Sequence, residues 1–243
     1  MTIQNLHIFK NPEEVAQKFA EVLISEIENT SEKPFHLAIS GGKTPDLLFA
    51  ALAEKNLSES FWQKVHFWWV DERMVPPTDP ESNFGVVNQL LFSKISISKT
   101  NMHRIKGENQ PDFEAQNYAL QIAKELPQFN GLPVFDMILL GMGDDGHTAS
   151  IFPNQMDLLE STAICAVAAH PVSGQKRVTL TGKVINAALR VSFLVTGSAK
   201  AERIKEISDF PEQAKYLPAK YIKPANGKLD WYVDEAAITL LSL

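Results

Sequence analysis

Three segments put polar and charged residues directly after apolar runs, where a strand end would present them to a ligand. In Gly141-Met142-Gly143-Asp144-Asp145-Gly146-His147-Thr148, His147 follows a glycine cluster and Asp145 precedes it by two residues. A neutral imidazole accepts a proton near pH 7, and a neighbouring carboxylate can orient it. A sharp turn at Gly146 would bring the two groups together. Of the six histidines only His147 has this setting. His36 and His66 fall inside strands, and His7, His103 and His170 also read as structural. Asp71-Glu72-Arg73 ends the apolar run Val65 to Val70. An arginine there can hold a phosphate or stabilise an oxyanion. Asp71 and Arg73 therefore join Asp145 and His147 as candidate catalytic residues.

The third segment, Ser40-Gly41-Gly42-Lys43-Thr44-Pro45, follows the strand Phe35 to Ile39. Gly42-Lys43-Thr44 fits the end of a nucleotide-triphosphate loop, but the glycine required five residues earlier is Leu37. What survives is a turn whose glycines admit a phosphate to the backbone and a helix start with free N–H groups. Ser40 and Thr44 add hydroxyls. The same residues would also make an ordinary strand–turn–helix connection with a Thr cap. Arg177, opening Val178-Thr179-Leu180-Thr181, and Lys200, after Gly197-Ser198-Ala199, are further candidate phosphate contacts. Taken singly, each reads as a surface cation.

Other chemistries lack their signatures. Gly141-Met142-Gly143-Asp144-Asp145-Gly146 satisfies a dinucleotide fingerprint literally, but two aspartates beside a pyrophosphate are electrostatically unfavourable and the position is past mid-chain. There is no His-x-x-x-His, paired cysteine or calcium loop, so no metal and no cofactor is expected. Gly-x-Ser-x-Gly is absent too, which leaves water as the nucleophile of any hydrolase. A net charge of -6 argues against nucleic acid but not against one small phosphorylated ligand. The single Cys165 lies in an apolar run and reads as core. No leader is visible at Met1-Thr2-Ile3-Gln4-Asn5, and no apolar run is long enough for a membrane span. A cytoplasmic protein, monomeric or weakly homo-oligomeric, is expected.

The elements that must position these loops alternate. Asn11-Pro12-Glu13-Glu14 starts a helix whose apolar face is Val15, Phe19, Val22, Leu23 and Ile27. Helices are also predicted from Thr44, over Glu114 to Leu126 and over Ala199 to Ile207. Strands are predicted over Phe35 to Ile39, Val65 to Val70, Phe135 to Leu140, Arg190 to Val195 and Leu229 to Val233. Several strands lack polar alternation. The fold class that follows is α/β: a single open, mostly parallel sheet with helices on both faces, forming one domain over residues 1–243.

Taken together, the segments resemble the 6-phosphogluconolactonase family. The matching pieces are Ser40 to Pro45; Val70-Asp71-Glu72-Arg73 with Val75-Pro76 and Ser82-Asn83; Leu140 to Ser150 with Phe152-Pro153; Arg177 to Thr181; and Trp231 to Ala237. They run in the family's order through nearly the whole chain. The resemblance implies a Rossmann-like sheet of the glucosamine-6-phosphate isomerase type and a cofactor-free hydrolase for 6-phosphogluconolactone in the oxidative pentose phosphate pathway. It implies His147 as general base, and Ser40, Gly41, Gly42, Arg73, Arg177 and Lys200 as phosphate or carboxylate contacts. Lys43 and Asn154 depart from common family residues, at no proposed catalytic position. The related glucosamine-6-phosphate deaminases carry Ile-Ala-Phe-Asn-Glu-Pro after the histidine. Here Thr148-Ala149-Ser150-Ile151-Phe152-Pro153 stands there, without that Glu. A sugar-phosphate sensor of this fold would carry a DNA-binding domain, for which the length leaves no room.

Overall fold

The computed structural model describes residues 3, 5–30, 33–210 and 212–241. Met1, Thr2 and Gln4 of the opening segment lie outside them. In chain order the first half contains β1 (Leu6–Phe9), α1 (Pro12–Asn29), β2 (Phe35–Ile39), α2 (Lys43–Glu54), α3 (Glu59–Gln63), β3 (Val65–Trp69), β4 (Asp71–Arg73), α4 (Asn83–Leu90), β5 (Met102–His103) and α5 (Pro111–Glu125). There follow β6 (Gln128–Phe129), β7 (Leu132–Pro133), β8 (Met137–Leu140), β9 (Cys165–Ala169), β10 (Lys176–Leu180), α6 (Gly182–Asn186), β11 (Arg190–Val195), α7 (Ala201–Asp209) and β12 (Lys228–Asp234).

Seven strands form one sheet in the order β1-β12-β11-β8-β2-β3-β5, and every neighbouring pair is parallel. Every residue of β2 and β8 is buried, as expected where helices cover both faces of a parallel sheet. α1 begins as its sequence dictates: the Asn11 side chain accepts from the Glu14 amide at 2.9 Å and Pro12 occupies the first turn. Its buried Val15, Phe19, Leu23 and Ile27 form the predicted stripe. At Trp69, beyond the end of β5, the Tyr118 hydroxyl of α5 serves both backbone groups: it accepts from the amide at 2.8 Å and donates to the carbonyl at 3.1 Å. No helix among the described residues is long and apolar enough to cross a membrane.

The largest departure from the sequence reading is the charged triplet Asp71-Glu72-Arg73. It is not a loop beyond a strand but β4, which belongs to a second, antiparallel sheet in the order β4-β10-β9. Glu72 is buried because its carboxylate accepts the amides of Arg73, Asn83 and Phe84, each at 2.8 Å, and so anchors the start of α4. Burial pushes the Glu72 carboxyl up in pKa against these bonds. β1, β5, β9, β10 and α4 were not predicted as elements. The helix expected from Thr44 starts at Lys43, and α7 starts at Ala201 behind a 3-10 turn, Ser198–Lys200.

His36, His66 and His103, on three adjacent strands, form one buried network. Trp68 Nε1 donates to His36 Nδ1 at 3.1 Å, His66 Nδ1 and His103 Nε2 share a bond of 3.0 Å, and Gln121 bonds His103 Nδ1 at 3.0 Å. His103 also stacks on Trp68 at 3.9 Å. The indole can only donate, so His36 Nδ1 must remain unprotonated. Burial, with the neighbouring imidazole His66, lowers both His36 and His103 to about 4. Burial also lowers His66, against the charge of Glu125. A histidine whose folded pKa lies below its unfolded value loses stabilisation as pH falls between the two. Stability should therefore be level above pH ~6.5 and drop on the order of a few kcal/mol by pH ~4. Urea titrations between pH ~6.5 and ~5, above most carboxylate titration, measure this. The slope should shrink in His103→Gln, and a flat wild-type profile would contradict the network's role.

Candidate active site

Along the sheet the chain leaves β2 for β3 on one side and β8 for β11 on the other, so the connections diverge between β2 and β8. Such a switch point opens a crevice at the carboxyl ends of the strands. Ser40 Oγ, just past β2, donates to the Leu139 carbonyl of β8 at 2.8 Å and closes the crevice floor. Above it lies a cavity of about 720 Å³. It is lined by Ser40, Gly41, Gly42, Thr44, Asp71, Arg73, His147, Arg177 and Lys200, the predicted site residues apart from Asp145. Asp145 stands behind His147 instead, as its hydrogen-bond partner.

One end of the cavity is built from two glycine-started turns. Gly42, with φ 128°, precedes α2, and Gly197, with φ 92°, precedes the turn Ser198–Lys200. L side chains rarely adopt either conformation. No side chain caps either start, so the first N–H groups are left for a ligand. Thr44 is therefore not a cap; its Oγ1 bonds Thr196 Oγ1 at 2.7 Å and ties the two turns together. The Asp234 carboxylate accepts from the Gly197 amide at 2.9 and 3.1 Å and fixes the second turn. Lys200 reaches this end with its ammonium paired to the carboxylate of Asp144. Lys43 lines the same end.

The loop that carries Asp145 and His147 follows β8. Gly143 N donates to the His147 carbonyl at 2.9 Å, and Gly146 N to the Gly143 carbonyl at 3.0 Å, so residues 143–147 close into a tight turn. His147 Nδ1 lies 2.6 Å from Asp145 Oδ1, which also accepts the His147 amide at 3.1 Å. Burial works to raise the Asp145 carboxyl, but the hydrogen bond and charge of His147 outweigh it and hold the group at about 2. An ionised carboxylate only accepts hydrogen bonds, so Nδ1 carries a proton, and in the neutral ring the lone pair is on Nε2. The imidazole rests on the buried Phe152, with ring centroids 4.8 Å apart.

The cavity also carries paired cations. In the β4–β10 ladder Arg73 and Arg177 are directly opposite. Arg73 Nη1 donates to the Glu81 carbonyl at 2.6 Å, and the Arg177 guanidinium lies 5.6 Å from the Phe152 ring centre. The Nε atoms of both arginines are buried without a hydrogen-bond partner. Burial lowers the pKa of Arg177, Asp71 raises it, and Arg73 lowers it again. Two adjacent guanidiniums with unused donors favour an anion between them. Asp71 is buried; Ser150 Oγ donates to it at 2.6 Å, and Arg177 lies 3.5 Å from the same hydroxyl.

Sequence reasoning gave no role to Asn83, Ser150 or Phe152. Asn83 lines the cavity, and its amide donates to the Asp71 carbonyl at 2.9 Å. A Cβ at Gly41 would stand 1.9 Å from Asn83 Oδ1, so that glycine makes room for the amide. The signal was present in Ser82-Asn83 and in the segment Thr148 to Pro153, but it gains meaning only once β4 and β10 lie over the crevice. Among the described residues no group of three or more His, Cys, Asp or Glu side chains could hold a metal ion.

Comparison with known proteins agrees with this geometry. The family profile described as glucosamine-6-phosphate isomerases/6-phosphogluconolactonase matches residues 10–231. A 6-phosphogluconolactonase of Haemophilus influenzae is 46% identical over 230 residues, 94% of each chain. One of Aggregatibacter actinomycetemcomitans is 44% identical over the same share of both chains. The solved 6-phosphogluconolactonase of Trypanosoma brucei superposes with a TM-score of 0.90 at 26% identity, covering 100% of both chains. With the switch-point crevice, the divergent loops and the sequence all in agreement, the chain belongs to the glucosamine-6-phosphate isomerase/6-phosphogluconolactonase family.

Proposed function

We propose that the cavity binds 6-phosphoglucono-1,5-lactone and that His147 activates the water that opens it to 6-phosphogluconate. The observation that carries this reading is the 2.6 Å bond from His147 Nδ1 to an ionised Asp145, which leaves Nε2 of the neutral ring as a base in a cavity lined by the two glycine turns, Lys200 and two arginines. The phosphate occupies the Gly42 and Gly197 turns with Lys200. The lactone carbonyl points toward Arg73 and toward Arg177, which stands opposite it in the β4–β10 ladder.

Water loses a proton to Nε2 as its oxygen bonds the lactone carbon, and the carbonyl electrons move onto oxygen. The arginines stabilise that oxyanion. Collapse re-forms the carbonyl and breaks the bond to the ring oxygen, which takes the proton back from Nε2. The new carboxylic acid releases its own proton to solvent, so His147 ends as it began. The missing Glu after His147 removes the acid–base capacity that isomerisation with amine release requires, and glucosamine 6-phosphate should yield no ammonia.

His147→Ala should lower kcat about 10²–10⁴-fold with an unchanged thermal midpoint. Near-normal turnover, after correction for spontaneous lactone hydrolysis, would sink the base assignment. Lys200→Ala should raise KM for the phosphorylated lactone roughly 10–100-fold, the loss of one charge-assisted contact. Its turnover of unphosphorylated gluconolactone should match wild type; equal losses on both substrates would withdraw the phosphate assignment. Exhaustive dialysis against a chelator should leave activity intact, and activity restored by one equivalent of a divalent ion would require a metal-based mechanism instead.

A further inference from the structure

Gly143 has a negative φ, so its backbone conformation does not call for glycine. The space beside it does. A Cβ there would stand 2.1 Å from His147 Nδ1, 2.2 Å from Cε1 and 2.8 Å from Asp145 Oδ1. The imidazole is a rigid plane held at several points: the 2.6 Å bond to Asp145, the Phe152 ring beneath it, and the 2.9 Å backbone bond from Gly143 N to its own carbonyl. It cannot step aside without giving up Asp145, because the atom that meets the added methyl is the one that makes the bond.

We infer that Gly143 is a positioning residue for the reaction, a deliberate gap that lets the His147 ring lie flat against the loop backbone and keeps Nδ1 on Asp145. The inference rests on the reading of His147 as the base. Any side chain at this position pushes the ring off the carboxylate. The Nδ1 proton is then no longer fixed, and Nε2 leaves its place in the cavity. The phosphate end, built from the Gly42 and Gly197 turns, is not touched.

Gly143→Ala should therefore lower kcat about 10–100-fold, the cost of a displacement on the order of 1 Å at a reacting group. KM for the phosphorylated lactone should stay within about twofold, since binding at the other end is intact. The decisive measurement is the double-mutant cycle. In a His147→Ala background the ring is gone and the Asp145 carboxylate, 2.8 Å from the methyl and no longer held by the imidazole, can turn away from it, so adding Gly143→Ala should change the residual rate less than about twofold. Normal turnover by Gly143→Ala, or an equal further loss in the His147→Ala background, would overturn the inference. If Gly143→Ala alone fails to fold, the double variant decides: recovery of the fold supports the clash with the imidazole, and failure of both variants refutes it. The two readings fail separately. A fully active His147→Ala removes the base assignment, whereas a crippled His147→Ala beside a fully active Gly143→Ala removes only the role of Gly143.

Discussion

Val70 is the hinge on which the site depends. Its amide donates to the Ile39 carbonyl at 2.9 Å and so continues the parallel pairing of β3 with β2, while its carbonyl accepts from the Leu180 amide at 2.8 Å. One residue thus belongs to both sheets. Without that double bond the strand after Trp69 would run on into solvent as a charged loop. With it, Asp71, Glu72 and Arg73 turn into a second sheet that leans over the crevice, and β10 arrives carrying Arg177 in register with Arg73. The phosphate-type turns need only the parallel sheet. The cation pair needs the junction.

The electrostatics follow from that geometry. A chain of net charge -6 nevertheless gathers Arg73, Arg177, Lys43 and Lys200 around one cavity. Two guanidiniums side by side in a half-buried place repel each other, and the buried Asp71, held by Ser150, compensates. Glu72 is spent otherwise: its oxygens are taken up by amides at the start of α4 and by Ser82 Oγ at 3.2 Å, so it braces the scaffold and does not neutralise the ligand site. Lys200 is paired with Asp144, which is largely exposed and can yield to a stronger anion at low cost. Half-buried guanidiniums with unused donors and an exchangeable surface pair both suit an anionic ligand.

How much of this the sequence disclosed depended on distance along the chain. The Asp145–His147 pair was legible because only Gly146 separates its members, and the turn at Gly42 because glycine at a strand–helix junction is a local signal; Gly197 carries the same signal, but no turn was read there. The mostly apolar strands β2, β3 and β11, without polar alternation, declared a parallel sheet for the same reason. β4 and β10 were not legible as strands, since three charged residues and a five-residue segment opening with Lys176 and Arg177 carry no apolar alternation. Their strand character comes from pairing with each other across about a hundred residues of chain, a non-local gain that propensity does not encode. The histidine network escaped for the opposite cause. His36 and His66 each looked like an isolated strand residue and His103 like an unconnected structural one, and only the order of β2, β3 and β5 in the sheet brings them together.

The glycines show how one residue type answers two different demands in one site. Gly42 and Gly197 are required by backbone conformation: each turns the chain through a left-handed φ so that a helix start opens toward the cavity. Gly41 and Gly143 have no such φ and are required by space, one for the Asn83 amide and the other for the His147 ring. The two demands act on different parts of the function. Conformational glycines expose backbone N–H groups, which recognise an anion without a side chain. Steric glycines expose nothing; they let a functional side chain from elsewhere lie where a Cβ would have been. The two kinds alternate at the strand ends, Gly41 beside Gly42 after β2 and Gly143 within the loop after β8. In the proposed reaction the crevice binds with bare backbone and reacts with one closely seated ring, and a methyl group at these positions disturbs either arrangement.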